Sequence, residues 1–260
     1  MRTAFIFCAA LLWATAAGAA VHTETVEYRH GKVVLEGYLA YDSSLIGTGP
    51  VPGVLVVHEW TGLGDYVKIR ARRLAELGYV AFAADVYGKG IRAKNADEAA
   101  KLAQTYYQDR RLFRDRVQAA LAVLRGQELS DDRRLAAIGY CFGGSAVLEL
   151  ARAGADVRGV VSFHGILSTT QPAEPGTVKA KILVLGGADD PYVPDSQVAA
   201  FEEEMRRVGA DWQLTEYGGA VHSFTNPDAG NDASRGAAYN EAADRRSWEQ
   251  MKMFFEEIFR

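Results

Sequence analysis

Six residues in the middle of the chain have the types and spacing of a nucleophile turn. Residues 139–144 read GYCFGG, which places Cys141 in a Gly-x-nucleophile-x-Gly pattern. A stretch typical of a buried strand precedes the motif and a helical stretch follows it, as a tight strand-to-helix turn requires. Free N–H groups at the start of that helix would favour a thiolate. We predict that Cys141 is a catalytic nucleophile; the alternative is a small core residue in a tight turn.

A nucleophile of this kind needs a base, and two histidines lie downstream of Cys141. His164 ends the next predicted strand, which is too early for the chain order nucleophile, acid, histidine. His222 lies after the last predicted strand, in the glycine-containing segment GGAVHSF. That loop can carry an imidazole to the nucleophile, so we predict that His222 is the base. The alternative is an ordinary surface or core histidine.

Two adjacent carboxylates, Asp189 and Asp190, could orient the imidazole of the base. They occur in the segment GADDPYVP at residues 187–194. The spacing from Gly187 to Val193 and Pro194 favours Asp190 as the acid, while Asp189 would face solvent or cap the following turn.

The elements that must position these residues alternate along the chain as strands and helices. Short apolar, β-branched runs indicate strands that are buried on both faces, and they are separated by helical segments. This order predicts an α/β fold, with a mostly parallel sheet flanked by helices on both faces, forming one domain over residues 21–260. Functional groups in such sheets gather where the strands end. The residues there are His58 and Glu59, Asp85, Cys141, His164, Asp190 and His222.

The first twenty residues have a different character from the rest of the chain. Arg2 precedes a mainly apolar run, and Ala17, Gly18 and Ala19 give small residues at the spacing of a signal-peptidase site. We predict a signal peptide over residues 1–20 and an exported, periplasmic or secreted protein without stable membrane association. The alternative is a retained N-terminal anchor. Cleavage would remove Cys8 and leave Cys141 as the one cysteine, without an internal disulfide.

The composition argues against several classes of partner. The formal net charge is −4 and no run of basic residues is present, which argues against nucleic acid or an anionic membrane surface. No cluster has zinc-ligand spacing, so we predict neither a metal nor an organic cofactor. The expected partner is a small-molecule substrate, and the expected assembly is a monomer or a small homo-oligomer.

Taken together, these motifs resemble those of the dienelactone hydrolase family of α/β-hydrolases over nearly all of the predicted mature chain. The segments that carry the resemblance are HEWTGL at 58–63, DVYG at 85–88, GYCFGG at 139–144, GADDPYVP at 187–194 and HSF at 222–224. The resemblance implies a triad of Cys141, Asp190 and His222, and an oxyanion hole formed by the N–H groups of Phe142 and Trp60. It also implies that Glu59 contacts the thiol and helps to deprotonate it when substrate binds.

Three residues near the first strand end have more than one interpretation. Glu59 would lie in a cleft beside a group that must lose a proton, or it is a solvated acid. His58 could line the site, although a packed histidine bonded to backbone is favoured. Trp60 is either a wall of the pocket or part of the core.

The sequence departs from the family where dienelactone-degrading enzymes bind the substrate carboxylate with arginines. The position four residues after His222 is Asn226, and Arg92 is the nearest candidate for the second arginine. Loss of a charge-assisted anchor would weaken the preference for an anionic lactone. We therefore predict a hydrolase of carboxylic esters or lactones with a covalent acyl-enzyme. The alternatives are a thioesterase or general carboxylesterase, a non-catalytic binding protein on this fold, and a redox thiol.

Overall fold

A computed structural model describes residues 20–260 as an eight-stranded sheet with helices on both faces. The predicted signal peptide lies outside the described residues except for Ala20. The strands are β1 (Val21–His30), β2 (Val33–Asp42), β3 (Val51–Val57), β4 (Val80–Ala84), β5 (Ser130–Tyr140), β6 (Gly159–Phe163), β7 (Lys181–Gly187) and β8 (Trp212–Tyr217). The helices are α1 (Asp65–Glu76), α2 (Ala96–Gln108), α3 (Arg110–Arg125), α4 (Phe142–Arg152), α5 (Asp195–Val208) and α6 (Glu241–Ile258).

The strands are arranged in the order β1-β2-β4-β3-β5-β6-β7-β8. The first two form an antiparallel hairpin, and β2 also runs antiparallel to β4. All remaining neighbours are parallel, so the ends of β3, β5, β6, β7 and β8 meet at one edge. The α/β fold with a mostly parallel sheet, predicted from the sequence, is confirmed.

Two apolar cores lie on opposite faces of this sheet because successive side chains of a strand point to opposite sides. In β3, Leu55 and Val57 pack into the core under α2, α3, α4 and α5. Val54 and Val56 pack into the other core, under α1 and α6. All four are fully buried, which explains why the strand reads as a continuous apolar run.

Two helix boundaries bear on the site. The sequence predicts a long helical stretch from about Asp97 to Arg125 with a break near Asp109, and the structure has this break: the Asp109 carboxylate caps α3 by accepting from the N–H of Leu112. The sequence also predicts a helix from Ser145 to Arg152, but α4 begins earlier, at Phe142. Glycine is a poor helix former, but Gly143 is needed there: a Cβ would lie 2.2 Å from the carbonyl oxygen of Val57. Helix α4 therefore starts directly after Cys141.

Within residues 20–260, no helix combines the length and hydropathy that a bilayer crossing would need.

Candidate active site

Cys141 occupies a strained turn between β5 and α4. Its φ of 54° lies in the left-handed region, which a residue with a side chain rarely adopts. The turn is tight enough that a Cβ on Gly139 would lie 1.9 Å from the carbonyl oxygen of Gly143. Glycine at both positions therefore permits the close approach of strand and helix. The GYCFGG pattern reflects this requirement directly.

The structure brings Cys141, His222 and Asp190 into one line of contacts. His222 Nε2 lies 3.0 Å from the Sγ of Cys141. On the opposite side of the ring, His222 Nδ1–H donates to Asp190 Oδ2 at 2.8 Å. All three residues are at least nine-tenths buried, and they come from three different strand ends. This arrangement has the contacts of a nucleophile, a base and an orienting acid.

The two adjacent carboxylates, Asp189 and Asp190, differ in burial and in hydrogen bonding. Asp190 is buried, bonds to His222 and accepts a further hydrogen bond of 2.9 Å from the N–H of Tyr192. Asp189 is exposed. Asp190 is thus the carboxylate in contact with the imidazole, as the spacing favoured.

The charges around His222 favour its imidazolium form. Burial lowers its pKa, but the neighbouring Cys141 sulfur and the Asp190 carboxylate outweigh burial and hold the pKa well above its ordinary value. A buried cation beside an anionic group is stabilised because few water molecules screen the attraction.

Two backbone hydrogen bonds join His222 to a later segment of the chain, around Gly236 and Ala238. The N–H of His222 donates to the carbonyl of Gly236 at 3.2 Å, and the N–H of Ala238 donates to the carbonyl of His222 at 3.0 Å. This short parallel bridge pairs His222 with Ala237. The ring position is therefore fixed by neighbouring backbone as well as by Asp190.

Glu59 does not have the partner that the family resemblance implied. Its Oε2 accepts a 2.7 Å hydrogen bond from Nδ2 of Asn226, whereas the hydrogen-bond partner of the Cys141 thiol is His222. Among the hydrogen bonds of the described residues, none joins Glu59 to the thiol. Burial raises the pKa of Glu59 above its ordinary value, and the Asn226 hydrogen bond only partly offsets this effect.

The two N–H groups proposed for an oxyanion hole are unbonded within residues 20–260. Phe142 is the first residue of α4, where an N–H has no acceptor inside the helix. Trp60 lies in the turn after β3, and its carbonyl, rather than its N–H, is bonded, by the hydroxyl of Tyr87 at 2.9 Å. Neither donor thus has an acceptor among the described residues.

His58 is a packed histidine, as favoured. The N–H of Val86 donates to its Nε2 at 3.2 Å, so the proton resides on Nδ1, which donates to the carbonyl of Glu59 at 2.6 Å. Burial lowers the pKa of His58 to about 4. Its ring stacks on Phe142, with centroids 5.6 Å apart. His58 therefore supports the turn as a neutral side chain.

A cavity of about 680 Å³ opens beside these residues. Trp60 is 38% exposed and forms part of its wall, which decides between the two interpretations of this residue. Cys141 is 9% exposed and is not itself a wall residue, but Glu59, Ser223 and Asn226 are. The cavity therefore adjoins the thiol through the immediate neighbours of the triad.

The wall also contains residues that the sequence reasoning did not find. Tyr192 follows Asp190 by two positions, and its ring centroid is 5.2 Å from that of His222. Arg235 reaches the wall from a single turn of 3-10 helix. No local motif marks either residue. Arg92, the arginine candidate from the sequence, is outside this wall, and its guanidinium donates to the carbonyls of Leu63 and Ile91.

A parallel sheet with helices on both faces and a nucleophile turn after its central strand defines an α/β-hydrolase. The dienelactone hydrolase family model matches residues 35–259, and the chain belongs to that family. Members are hydrolases of ester or lactone bonds, and so is this protein.

Three individual relatives are similar to this chain over most of its length. A dienelactone hydrolase-like promiscuous phosphotriesterase from metagenomic libraries is 43% identical, with a TM-score of 0.87 over 94% of this chain and all of the other. A candidate carboxymethylenebutenolidase of Aquifex aeolicus is 28% identical over 89% of this chain and 97% of its own. A candidate 2-oxo-3-(5-oxofuran-2-ylidene)propanoate lactonase of Bradyrhizobium is 30% identical over 73% of this chain and 79% of its own.

Proposed function

We propose that the protein hydrolyses carboxylic esters or lactones through a covalent thioester on Cys141. The observation that carries the proposal is the buried contact series from Cys141 through His222 to Asp190 at a strand-to-helix turn. A thiolate and an imidazolium held in this way are ready for attack on a carbonyl and for protonation of the leaving group.

The reaction divides into two half-reactions. Sγ attacks the carbonyl carbon, the C–O bond to the leaving group breaks, and His222 gives its proton to the departing alkoxide. Water then attacks the thioester while His222 accepts a water proton, and the carboxylic acid product leaves as the thiolate re-forms. In both steps the N–H groups of Phe142 and Trp60 would stabilise the negative charge that develops on the carbonyl oxygen.

We assign Glu59 a role in keeping Cys141 deprotonated: whenever the sulfur is a neutral thiol rather than the thiolate of the ion pair with His222, Glu59 would accept its proton once substrate has entered. Burial raises its pKa, which makes it a stronger base than a solvent-exposed carboxylate, and it lies on the cavity wall. The role requires that substrate displace the Asn226 hydrogen bond. Replacing Glu59 by Gln should then lower kcat while the His222 contact persists.

The cavity favours uncharged substrates. Its wall carries three carboxylates, from Glu59, Asp65 and Asp228, against the single guanidinium of Arg235 among the described lining residues. A substrate carboxylate would face this acidic lining, and Asn226 offers an amide in place of a cation. We therefore expect neutral esters and lactones to have a higher kcat/KM than matched anionic ones. A clear preference for anionic lactones would contradict this assignment.

The test of the mechanism uses Cys141→Ala and Cys141→Ser as a matched pair. With an activated aryl ester, C141A should lose at least about 10³-fold in kcat. C141S keeps a hydroxyl at the same place and is the control for the volume of the site. Brief exposure of the wild type to a slow ester should add one acyl mass, which peptide mass spectrometry should locate on Cys141. Full turnover by C141A, or an acyl group at another residue, would contradict the mechanism.

The metagenomic relative supports testing a second activity. That protein is a promiscuous phosphotriesterase, and it is 43% identical to this chain. An uncharged aryl phosphotriester should therefore be assayed beside the esters and lactones, since the same thiol could attack phosphorus. Turnover that persists in C141A would assign such activity to a different group.

We further propose that the chain is exported and that residues 21–260 form a single mature domain. The support is the arrangement of Arg2, the apolar run and the small residues before Ala20. The intact mass of protein recovered from the periplasm or medium should correspond to a start near residue 21. A full-length mass in a membrane fraction would instead support a retained anchor.

A further inference from the structure

His164 is a buried residue of the site region that the triad does not use. It follows β6 with a φ of 40°, and it is 1% exposed. Its Nδ1 accepts a 3.1 Å hydrogen bond from the N–H of Cys141, which also donates to the carbonyl of Phe163 at 3.0 Å. On the far side of the ring, Nε2 lies 2.7 Å from the hydroxyl of Thr225. The ring thus connects the nucleophile turn to the loop that carries His222.

These contacts fix the protonation state of the ring. A nitrogen that accepts from a backbone N–H holds no proton, so the proton of the neutral ring lies on Nε2 and is donated to Thr225. Burial lowers the pKa of His164 well below its ordinary value, and the charges of His222 and Arg70 act in the same direction. If Nδ1 of His164 were also protonated, its N–H would face the N–H of Cys141, and the hydrogen bond between them would be lost.

The far end of the connection is held rigidly. The hydroxyl of Tyr66 shares a 2.6 Å hydrogen bond with that of Thr225, and Arg70 donates to the carbonyl of Thr225 at 2.6 Å. Arg70 also forms a 2.6 Å ion pair with Asp244 of α6. Thr225 is fully buried and lies three residues after His222. Movement of this loop would therefore break several buried polar contacts at once.

We propose that His164 is a positioning residue for the reaction: as a neutral spacer between the Cys141 N–H and the Thr225 hydroxyl, it sets the separation of nucleophile and base. The inference rests on the proposed function, because it concerns the contact between Cys141 and His222. The ring centroids of His164 and His222 are 5.3 Å apart in an edge-to-face arrangement, so the spacer also packs directly against the base. A displacement of about 1 Å at a reacting pair can lower the rate about a hundredfold.

The test compares T225V, T225S, H164N and the double variant H164N/T225V on one activated ester. Asparagine keeps an acceptor at the position of Nδ1 for the Cys141 N–H, but it is too short to reach Thr225. Valine removes the hydroxyl from the other end at nearly constant shape. Both single variants break the same link, so each should lower kcat about ten- to a hundredfold with KM little changed. The double variant should be no slower than the slower single variant.

The serine variant separates positioning from packing. T225S keeps the hydroxyl and should recover most of the kcat lost in T225V, while thermal unfolding checks that each protein is folded. Wild-type kcat in folded T225V, or losses that add in the double variant, would overturn the inference. If H164N does not fold, the pair T225V and T225S still decides the question. C141A is assayed alongside: its activity would overturn the proposed function itself, whereas an inactive C141A with an unaffected T225V would overturn only the role of His164.

Discussion

His222 and Asp190 are 32 residues apart in the chain, yet Nδ1 of the first donates to Oδ2 of the second at 2.8 Å. The bond is buried and is the only hydrogen bond of the described residues that ties the imidazole to a carboxylate. It fixes the tautomer of the ring, because Nδ1 must carry a proton while Nε2 faces the thiol. The tautomer of this imidazole, and part of the rise in its pKa, thus depend on the Asp190 carboxylate.

Asp190→Asn should lower both the pKa of His222 and the rate. The carboxylate stabilises the imidazolium, so its loss lets the pKa fall toward the ordinary value; kcat should drop about 10²- to 10⁴-fold. The pKa can be followed by NMR of labelled histidine. The pKa of His222 is higher in the folded protein than in the unfolded chain, so the interactions of its imidazolium contribute their full stabilisation below about pH 6.5. This contribution is lost as the pH rises through the pKa of His222 in the folded protein. An unchanged His222 pKa in D190N would contradict the electrostatic assignment.

His222→Ala should slow alkylation of Cys141 by iodoacetamide near neutral pH. The imidazolium stabilises the thiolate at 3.0 Å, and the thiolate is the form that reacts. His22→Ala is a suitable control because His22 is exposed on β1, far from this contact in the sheet. An equal rate in H222A and wild type would indicate that Glu59 or the start of α4 activates the thiol instead.

Gly143→Ala should prevent formation of the nucleophile turn. The added methyl would lie 2.2 Å from the carbonyl oxygen of Val57, a backbone atom that cannot rotate away. We expect a loss of about 3 kcal/mol or more in the free energy of unfolding, or no folded protein. Gly218→Ala is the matched control, since nothing lies within 4 Å of the position that its added methyl would take and its φ is not left-handed. Denaturant titration that gave G143A wild-type stability would show that the strand and helix need not approach so closely.

The free energy of unfolding should fall as the pH drops from about 6.5 to 4. The pKa of His58 is about 4 in the folded protein, so His58 takes up a proton at a higher pH in the unfolded chain than in the folded protein. Protonation over this range therefore stabilises the unfolded state. A shift of this size corresponds to about 3 kcal/mol. His164 acts in the same direction because its pKa is also lowered. Denaturation series over this range should show a smaller slope in His58→Gln than in the wild type; equal slopes would assign the acid sensitivity to other groups.

Cys141, Asp190 and His222 could be selected from the sequence because each follows a predicted strand and the three keep a recognisable order. The glycines around Cys141 mark the close approach of β5 and α4, and the segment from Gly187 to Pro194 distinguishes Asp190 from Asp189. The resemblance to the family supplied Phe142 and Trp60 as donors, and both N–H groups are free in the described residues. Local pattern and chain order were sufficient at these positions.

Contacts between distant segments could not be predicted from local patterns in the sequence. Asn226 was identified as a departure from the family, but its bond to Glu59 joins residues 167 positions apart. Chain order favours His222 over His164 as the base, but it carries no information about the hydrogen bond between His164 and the Cys141 N–H. The shape of the cavity depends on side chains from several loops. Such relationships depend on how separate elements pack, and no local pattern in the sequence records that packing.

The bridge between His222 and Ala237 has a consequence for how substrate selection can change. Both ends of the intervening segment are anchored, at Thr225 by buried polar contacts and at Gly236 and Ala238 by the backbone of His222. Four residues between them form part of the cavity wall: Asn226, Asp228, Ala229 and Arg235. Replacing or lengthening this segment would reshape the cavity while the proposed base, His222, keeps its position. We infer that substrate choice can change here without moving the proposed nucleophile and base.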